Sequence, residues 1–243
     1  MPEQIFFARW LNHLFAGPVD RLLALVHVTP DSPAAPISNA FSMEILVALV
    51  MAIFATWLAR RLSVTKPRAW QQAIEVSWVG LEEHSEEVIG HGGKRFINYI
   101  FTLTFFILLG NLIGLIPGFD SPTAAISVTV GLALMTFVYY HYFGVKKHGV
   151  LKYLKTFLGP IWWMAPLMVV IEIISHFARI LSLSVRLFAN MFAGEVITAI
   201  FVALVPVLGI VFMGLHVFVA ILQAYIFVVL TMVYLSGALA EEH

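Results

Sequence analysis

Four long stretches of this chain contain no Asp, Glu, Lys or Arg. They cover residues 96–119, 121–145, 156–171 and 196–240. A membrane-spanning helix needs about 20 consecutive apolar residues, so each stretch is long enough, or nearly so, to cross a bilayer. Of the 243 residues, 60% are hydrophobic and 12% are charged, about half the charged fraction of an ordinary soluble domain. The sequence therefore predicts an all-α integral membrane protein.

The charge and cysteine counts exclude several other classes of function. The formal net charge is zero, so nothing indicates binding to nucleic acid. There is no cysteine, which excludes disulfides and thiolate metal sites. We expect neither a metal nor a cofactor.

The four charge-free stretches, together with an apolar run at about 41–60 that contains one acid, Glu44, predict about five membrane helices in one domain over residues 40–243. Residues 1–39 form an N-terminal extracytoplasmic segment with one or two interfacial helices, which Gly17-Pro18 interrupts, and no pattern of a cleaved signal peptide. A further amphipathic helix is predicted on the membrane surface at 67–90. The predicted membrane helices cover about 41–60, 96–117, 123–144, 157–194 and 196–240.

The last two predicted helices are longer than a membrane is thick. At about 1.5 Å per residue the final charge-free stretch extends over about 65 Å, twice the roughly 30 Å hydrocarbon core. We therefore expect both helices to be strongly tilted, or the last one to bend near Pro206, Gly209 and Gly214.

The basic residues predict the orientation of the chain in the membrane. Ten of the fourteen Lys and Arg lie at 60–68, 94–95 and 146–155. With five crossings these places fall on one side, which the positive-inside bias makes cytoplasmic. The turn at 118–123 has no Lys or Arg and is predicted outside. The N-terminus is then outside and the C-terminus is in the cytoplasm.

The fourth membrane helix carries a polar stripe centred on Arg186. A charge near the bilayer centre costs at least about 2.5–3.5 kcal/mol and is by default a functional candidate. The alternative is a purely structural stripe, in which Ser and Asn side chains hold helices together and Glu172 pairs with Arg179. Helical rotation of about 100° per residue puts five other polar residues on the face of Arg186. They are Glu172, Ser175, Arg179, Ser182 and Asn190.

The fifth membrane helix carries a second polar set. His216 and Gln223 are seven residues apart and so nearly in register on one face, with Glu195 just before the helix. A lone His or Gln in a membrane helix is more often a hydrogen-bonding partner than a proton carrier. Two of them on one face, near an acid, favour a hydrated path.

Several segments resemble subunit a of the rotary F-type ATP synthase, bacterial type. The most specific is SLSVRLFANMFAGE at 182–195. One departure is Ile180 after Arg179, where the family often has proline. The first forty residues match least. The other matching segments are HGGKRF at 91–96, GNLIGLIPG at 110–118, SPT at 121–123 and LHVFVAILQAYIFVVLTMVYLS at 215–236.

The resemblance implies a proton-channel stator subunit that does no bond chemistry of its own. It implies that Arg186 faces the ion-carrying carboxylate of each subunit in a c-subunit ring and separates two half-channels for protons. Glu195, His216 and Gln223 are implied in the outer half-channel, with Asn190 near the arginine. Glu172 and Ser182 are implied in the cytoplasmic half-channel. The implied partners are the c-ring, the peripheral-stalk b subunits and the lipid of a bacterial inner membrane.

The chemistry of the Arg186 and Glu195 side chains leads to two further expectations. Arginine keeps its charge even when desolvated, so Arg186 is a fixed cation that cannot relay a proton. We expect its face to be hydrated, with Ser182 and Asn190 holding water or contacting the guanidinium. We also expect Glu195 to face helix five near His216, where the two groups titrate as a coupled pair.

Two other classes of function remain as alternatives. One is a secondary transporter in which Arg186 binds an anionic substrate, against which stand the lack of an inverted repeat and of paired broken helices. The other is a purely structural membrane scaffold, which the polar stripe argues against.

Overall fold

The computed structural model describes residues 4–25, 35–63, 67–116, 118–156 and 164–240, and these contain helices and no strand. This confirms the predicted all-α class. Five of the helices, α2, α4 with the short turn before it, α5, α7 and α8, are long and apolar enough to cross a membrane. The helices are α1 Phe6–Leu25, α2 Asn39–Arg61, α3 Ala69–Ile89, α4 Ile97–Ile113, α5 Ile126–His148, α6 Val150–Thr156, α7 Ala165–Leu204 and α8 Pro206–Leu239, with 3-10 turns at Gly93–Phe96 and Pro122–Ala124.

Helix α1 is continuous, so Gly17-Pro18 does not interrupt it; Pro18 lies inside the helix. The side chain of Asn12 fixes α1 to the chain before α2: its amide donates to the Ile37 carbonyl and its oxygen accepts from the Ile37 N–H, both at 2.9 Å. Phe6 and Trp10 are exposed. This exposed apolar face fits the predicted interfacial position.

The break between the last two helices falls later than predicted. Helix α7 runs through Gly194 and Glu195 to Leu204, and α8 begins at Pro206. A glycine inside a helix costs only about 1 kcal/mol, whereas a proline lacks the N–H donor and fits best in the first turn. The prediction placed the break where the charge-free stretch begins, whereas the chain breaks at Pro206, one of the three positions predicted for a bend. The first residues of the predicted helix, 157–163, lie outside the described residues.

The α7–α8 turn depends on a close backbone approach. A Cβ atom at Gly209 would lie 2.6 Å from the Val202 Cγ2 and 2.8 Å from its Cα, so only glycine fits there. Phe201 stacks on Phe212 with ring centroids 4.0 Å apart. With 40 and 34 residues, α7 and α8 are about 60 and 51 Å long, each longer than a hydrocarbon core of roughly 30 Å.

The helices form two compact units, each drawn from three separate parts of the chain. Unit 1 comprises Met1–Arg60, Phe106–Val128 and Phe188–Ile221. Unit 2 comprises Arg61–Phe105, Thr129–Leu187 and Leu222–His243. Helices α7 and α8 therefore supply residues to both units.

The HGGKRF segment forms a tight turn between α3 and α4 in unit 2. Gly92 has φ +92°, a conformation that favours glycine, and a Cβ at Gly93 would collide with the Ser85 carbonyl. The Glu86 carboxylate accepts hydrogen bonds from the N–H groups of Gly92 (3.3 Å) and Lys94 (3.1 Å). The hydrogen bond from the Lys94 N–H lowers the pKa of Glu86.

Candidate functional site

Arg186 lies on α7 in unit 2, half-exposed, and its Nη2 donates to the Ser182 Oγ at 2.9 Å. This contact was expected from the four-residue spacing. Leu181 and Val185 beside it are 53% and 41% exposed, so the guanidinium is not sealed in apolar packing. Among the described residues no carboxylate lies within 4 Å of Arg186. The side chain of Asn190, one turn further along α7, is exposed.

Glu195 lies on α7 in unit 1, where a loop holds its carboxylate. The backbone N–H of Ser121 donates to the Glu195 Oε1 at 2.9 Å. A Cβ at Gly114 would lie 2.5 Å from the same oxygen and 2.7 Å from the Ser121 Cβ. The GNLIGLIPG segment therefore carries a glycine where Glu195 needs space.

A buried network of hydrogen bonds fixes that loop. The Ser121 hydroxyl donates to the Gly110 carbonyl at 2.8 Å and lies 2.7 Å from the Thr123 hydroxyl. Thr123 donates to the Asn111 Oδ1 at 2.6 Å, and the Asn111 amide donates to the Ala220 carbonyl of α8 at 3.0 Å. The segments GNLIGLIPG and SPT thus set the position of the N–H that binds Glu195.

His216 is 3% exposed in unit 1, and neither ring nitrogen has a hydrogen-bond partner among the described residues. A Cβ at Gly194 would lie 2.9 Å from the Nε2, so the ring packs against the residue next to Glu195. No ion pair within 4 Å joins His216 to Glu195. An unpaired buried polar group costs about 1–3 kcal/mol, so we expect ordered water at this ring. The coupled titration of Glu195 and His216 stays a prediction.

Gln223 is 1% exposed on α8 in unit 2. It lies seven residues after His216 in the same helix, as the sequence spacing requires. The structure thus places Gln223 in the interior of unit 2 rather than on an exposed face.

Glu172 pairs with a residue that the sequence analysis did not single out. Its Oε1 lies 3.3 Å from the Nε2 of His176, one turn further along α7. The alternative pairing of Glu172 with Arg179 is not observed within 4 Å, and the Arg179 guanidinium lies 5.2 Å from the centroid of the Tyr234 ring. An aromatic face attracts a guanidinium at this distance.

Further groups around His176 were also missed. The Tyr140 hydroxyl lies 3.0 Å from the His176 Nδ1, and the Tyr153 hydroxyl lies 2.7 Å from the His141 Nδ1. The two imidazole centroids are 4.7 Å apart. The four-residue spacing of Glu172 and His176 was a signal for that pair. The contacts to Tyr140 and Tyr153 depend on tertiary packing.

Comparison with known proteins gives one family. The ATP synthase A chain family model matches residues 41–236. ATP synthase subunit a of Koribacter versatilis (strain Ellin345) is 50% identical over 246 residues, covering all of both chains. ATP synthase subunit a of Solibacter usitatus (strain Ellin6076) is 45% identical over 236 residues, covering 96% of this chain and 99% of the relative. This membrane protein therefore belongs to the ATP synthase A chain family, the family of ATP synthase subunit a.

Proposed function

We propose that this chain is the proton-conducting stator subunit of the Fo sector of a rotary ATP synthase in a bacterial inner membrane. Arg186 faces the carboxylate of each subunit in the c-ring. Two offset half-channels lead protons to and from that carboxylate, so proton flow turns the ring. The observation that carries the proposal is the half-exposed Arg186, bonded to Ser182 and within 4 Å of no described carboxylate. Family membership supports it.

The physics of a rotor carboxylate explains the need for this cation. Such a carboxylate passes through lipid only when protonated, and must ionise where it meets the stator. Arg186 supplies a permanent positive charge that favours ionisation. Its position on α7 beside exposed apolar side chains suits a partner helix that slides past.

The energy of the ion pair between Arg186 and a c-ring carboxylate requires this pair to be hydrated. Two unit charges about 4 Å apart attract by about 4 kcal/mol at an effective dielectric of 20, with an upper bound near 20 kcal/mol in a dry site. The driving force is only about 2.3 kcal/mol per charge per 100 mV. A dry ion pair would stop the ring. The exposure of Ser182 and Asn190 leaves space for water on this face.

The outer half-channel runs past Glu195, His216, Gln223 and Asn190. Glu195 uses its Oε1 for the Ser121 N–H, while its Oε2 accepts no hydrogen bond from the described residues. His216 has both ring nitrogens available. These groups can bind water and exchange protons with it.

The cytoplasmic half-channel runs past Glu172 and Ser182. Helix α5 ends in Lys146, Lys147 and His148, and the Lys147 Nζ donates to the Leu239 carbonyl at the end of α8. Under the positive-inside bias this end of α5 and α8 is cytoplasmic. The C-terminus is then in the cytoplasm and the N-terminus is outside.

Substitution of Arg186 tests the proposal. Inverted membrane vesicles with the assembled enzyme are compared for wild type, Arg186→Ala and Arg186→Lys, with ATP-driven proton pumping followed by quenching of a pH-sensitive dye. We expect Arg186→Ala to abolish pumping while the chain still purifies with the c-ring and the b subunits. Normal pumping by Arg186→Ala excludes the mechanism.

A further inference from the structure

A small polar cavity lies in unit 2 at the end of the bundle where α5 and α8 stop. Its volume is about 110 Å³. A cavity of at least about 10–15 Å³ can hold one water, so this one has room for several. Part of the wall is backbone near the end of α8. The side chains in the wall are those of Tyr140, His148, Tyr153, Glu172, His176 and Arg179.

His176 bridges a donor and an acceptor in the wall of this cavity. Its Nδ1 lies 3.0 Å from the Tyr140 hydroxyl, and its Nε2 lies 3.3 Å from the Glu172 Oε1. A neutral imidazole has one N–H donor and one acceptor nitrogen. With the proton on Nε2, the ring donates to the carboxylate and accepts from Tyr140. Imidazole is also the side chain that gains and loses a proton most readily near neutral pH.

The neighbouring charges leave Glu172 free to accept a proton from His176. Arg179, the nearest cation on α7, lies over the Tyr234 ring and makes no ion pair with Glu172. Lys147 on α5 is bound to the Leu239 carbonyl. The other titratable groups around His176 are His141, whose ring centroid is 4.7 Å away, His148, Tyr140 and Tyr153.

We propose that His176 is the proton-relay residue of the cytoplasmic half-channel, with Glu172 as its acceptor and Tyr140 as its donor. The inference rests on the proposed function of the chain. The Tyr140 hydroxyl passes its proton to Nδ1 and takes its replacement from the side of the half-channel that faces the c-ring. The imidazolium then releases its Nε2 proton to the Glu172 carboxylate, which passes it to cavity water. The ring then gives its Nδ1 proton to cavity water and takes one from cavity water at Nε2, which restores the Nε2–H tautomer. In each cycle one proton enters through Tyr140 and one leaves through Glu172.

A purely structural role for His176 makes a different prediction. The amide of a glutamine can donate to Glu172 and accept from Tyr140, so His176→Gln keeps both hydrogen bonds. The glutamine amide cannot take up and release a proton as imidazole does. His176→Gln therefore preserves a structural contact and removes a relay.

The test measures proton flux in membrane vesicles that contain the assembled enzyme, with flux normalised to c-ring content. We expect His176→Gln to reduce both ATP-driven pumping and passive conductance after removal of the soluble head, about tenfold. This is below the 10²–10⁴-fold typical of a positioned proton-transfer group, because cavity water carries part of the flux. His84→Gln on α3, whose ring stacks on Tyr225, is the matched control and should keep the wild-type rate.

Chemical rescue gives the second readout. His176→Ala leaves a space for free imidazole, so millimolar imidazole should restore flux in this variant and not in Glu172→Ala, which lacks the acceptor. Wild-type flux in His176→Gln, or no rescue of His176→Ala, overturns the relay. Arg186→Ala is measured in parallel. If it abolishes pumping while His176→Gln is normal, only the relay is wrong; if it pumps normally, the proposed function itself fails.

Discussion

The two half-exposed carboxylates of α7, Glu195 in unit 1 and Glu172 in unit 2, are held in different ways. Glu195 is bound by a backbone N–H of a loop 74 residues earlier in the chain, and that loop is fixed by its own buried hydrogen bonds. Glu172 is bound by a titratable side chain one turn away on the same helix. The first carboxylate therefore depends on tertiary structure for its position. The second depends mostly on helix geometry and has a neighbour that can share its proton.

Removal of each carboxylate should show this difference most strongly. We expect Glu195→Ala to reduce proton pumping at least about 100-fold, since the Ser121 N–H holds this carboxylate in place and a positioned proton-transfer group contributes about 10²–10⁴-fold. Glu172→Ala should reduce it less, because His176 and cavity water remain. Dye-quenching assays on vesicles with equal c-ring content measure both rates. Equal losses would remove the distinction between the two sites.

Filling the space beside Glu195 should have the next largest effect. In Gly114→Ala the new Cβ would lie 2.5 Å from the Glu195 Oε1, so the carboxylate or the loop must move. We expect pumping to fall several-fold and stability to fall by about 1–3 kcal/mol, the usual cost of overpacking. Thermal unfolding in detergent and vesicle pumping measure the two effects.

Gly131→Ala is the matched control for this glycine, since nothing lies within 4 Å of a Cβ at that position of α5. It should leave both quantities near their wild-type values. If Gly114→Ala behaves like Gly131→Ala, the loop does not constrain Glu195.

Loss of one hydroxyl should weaken the loop network with little effect on unit 2. Thr123→Val removes the donor to the Asn111 Oδ1, and an unsatisfied buried acceptor costs about 1–3 kcal/mol. The melting temperature should fall. Thr102→Val, which removes an exposed bond to the Asn98 carbonyl, should change it much less. A similar shift in both variants would show that the buried network adds no specific stability.

The smallest expected effect is at the α3–α4 turn, and it depends on pH. Because the pKa of Glu86 is lowered in the folded protein, its stabilisation of the turn is fully present above the unfolded value of 4.5 and is lost as pH falls through the lowered value. Hydrogen exchange at the Gly92 and Lys94 amides should therefore reveal weaker protection at low pH, beyond the intrinsic change in rate.

Glu86→Gln should reduce that protection at neutral pH and remove its pH dependence. The control is Glu83→Gln, an exposed position on the same helix. If Glu83→Gln has the same effect, the change reflects the net charge of α3 and not the hydrogen bonds of Glu86.

Features that are determined by residues close together in the sequence could be predicted best. Apolar runs predicted α2, α4 and α5 to within a few residues, and the spacing of Ser182 and Arg186 predicted their hydrogen bond. The predicted end of α7 was wrong because it was set at the start of the charge-free stretch, whereas α7 continues to Leu204 and α8 begins at Pro206. These features arise from residues within one or two turns.

Contacts between segments that are far apart in the sequence could not be predicted from sequence patterns. The partner of Glu195 is a loop N–H, and any residue type can provide a backbone donor. The donor to His176 is Tyr140, 36 residues away on α5. Neither contact has a spacing or composition that identifies it. The contact of Arg179 with Tyr234, 55 residues later on α8, was missed for the same reason.

The two hydrogen bonds between the Asn12 side chain and the Ile37 backbone have a practical consequence for labelling the protein. These bonds hold α1 to the chain just before α2. An epitope or fluorophore-binding peptide inserted after α1 should therefore leave both partners of this contact in place. Its accessibility from either side of the membrane tests the proposed orientation of the chain.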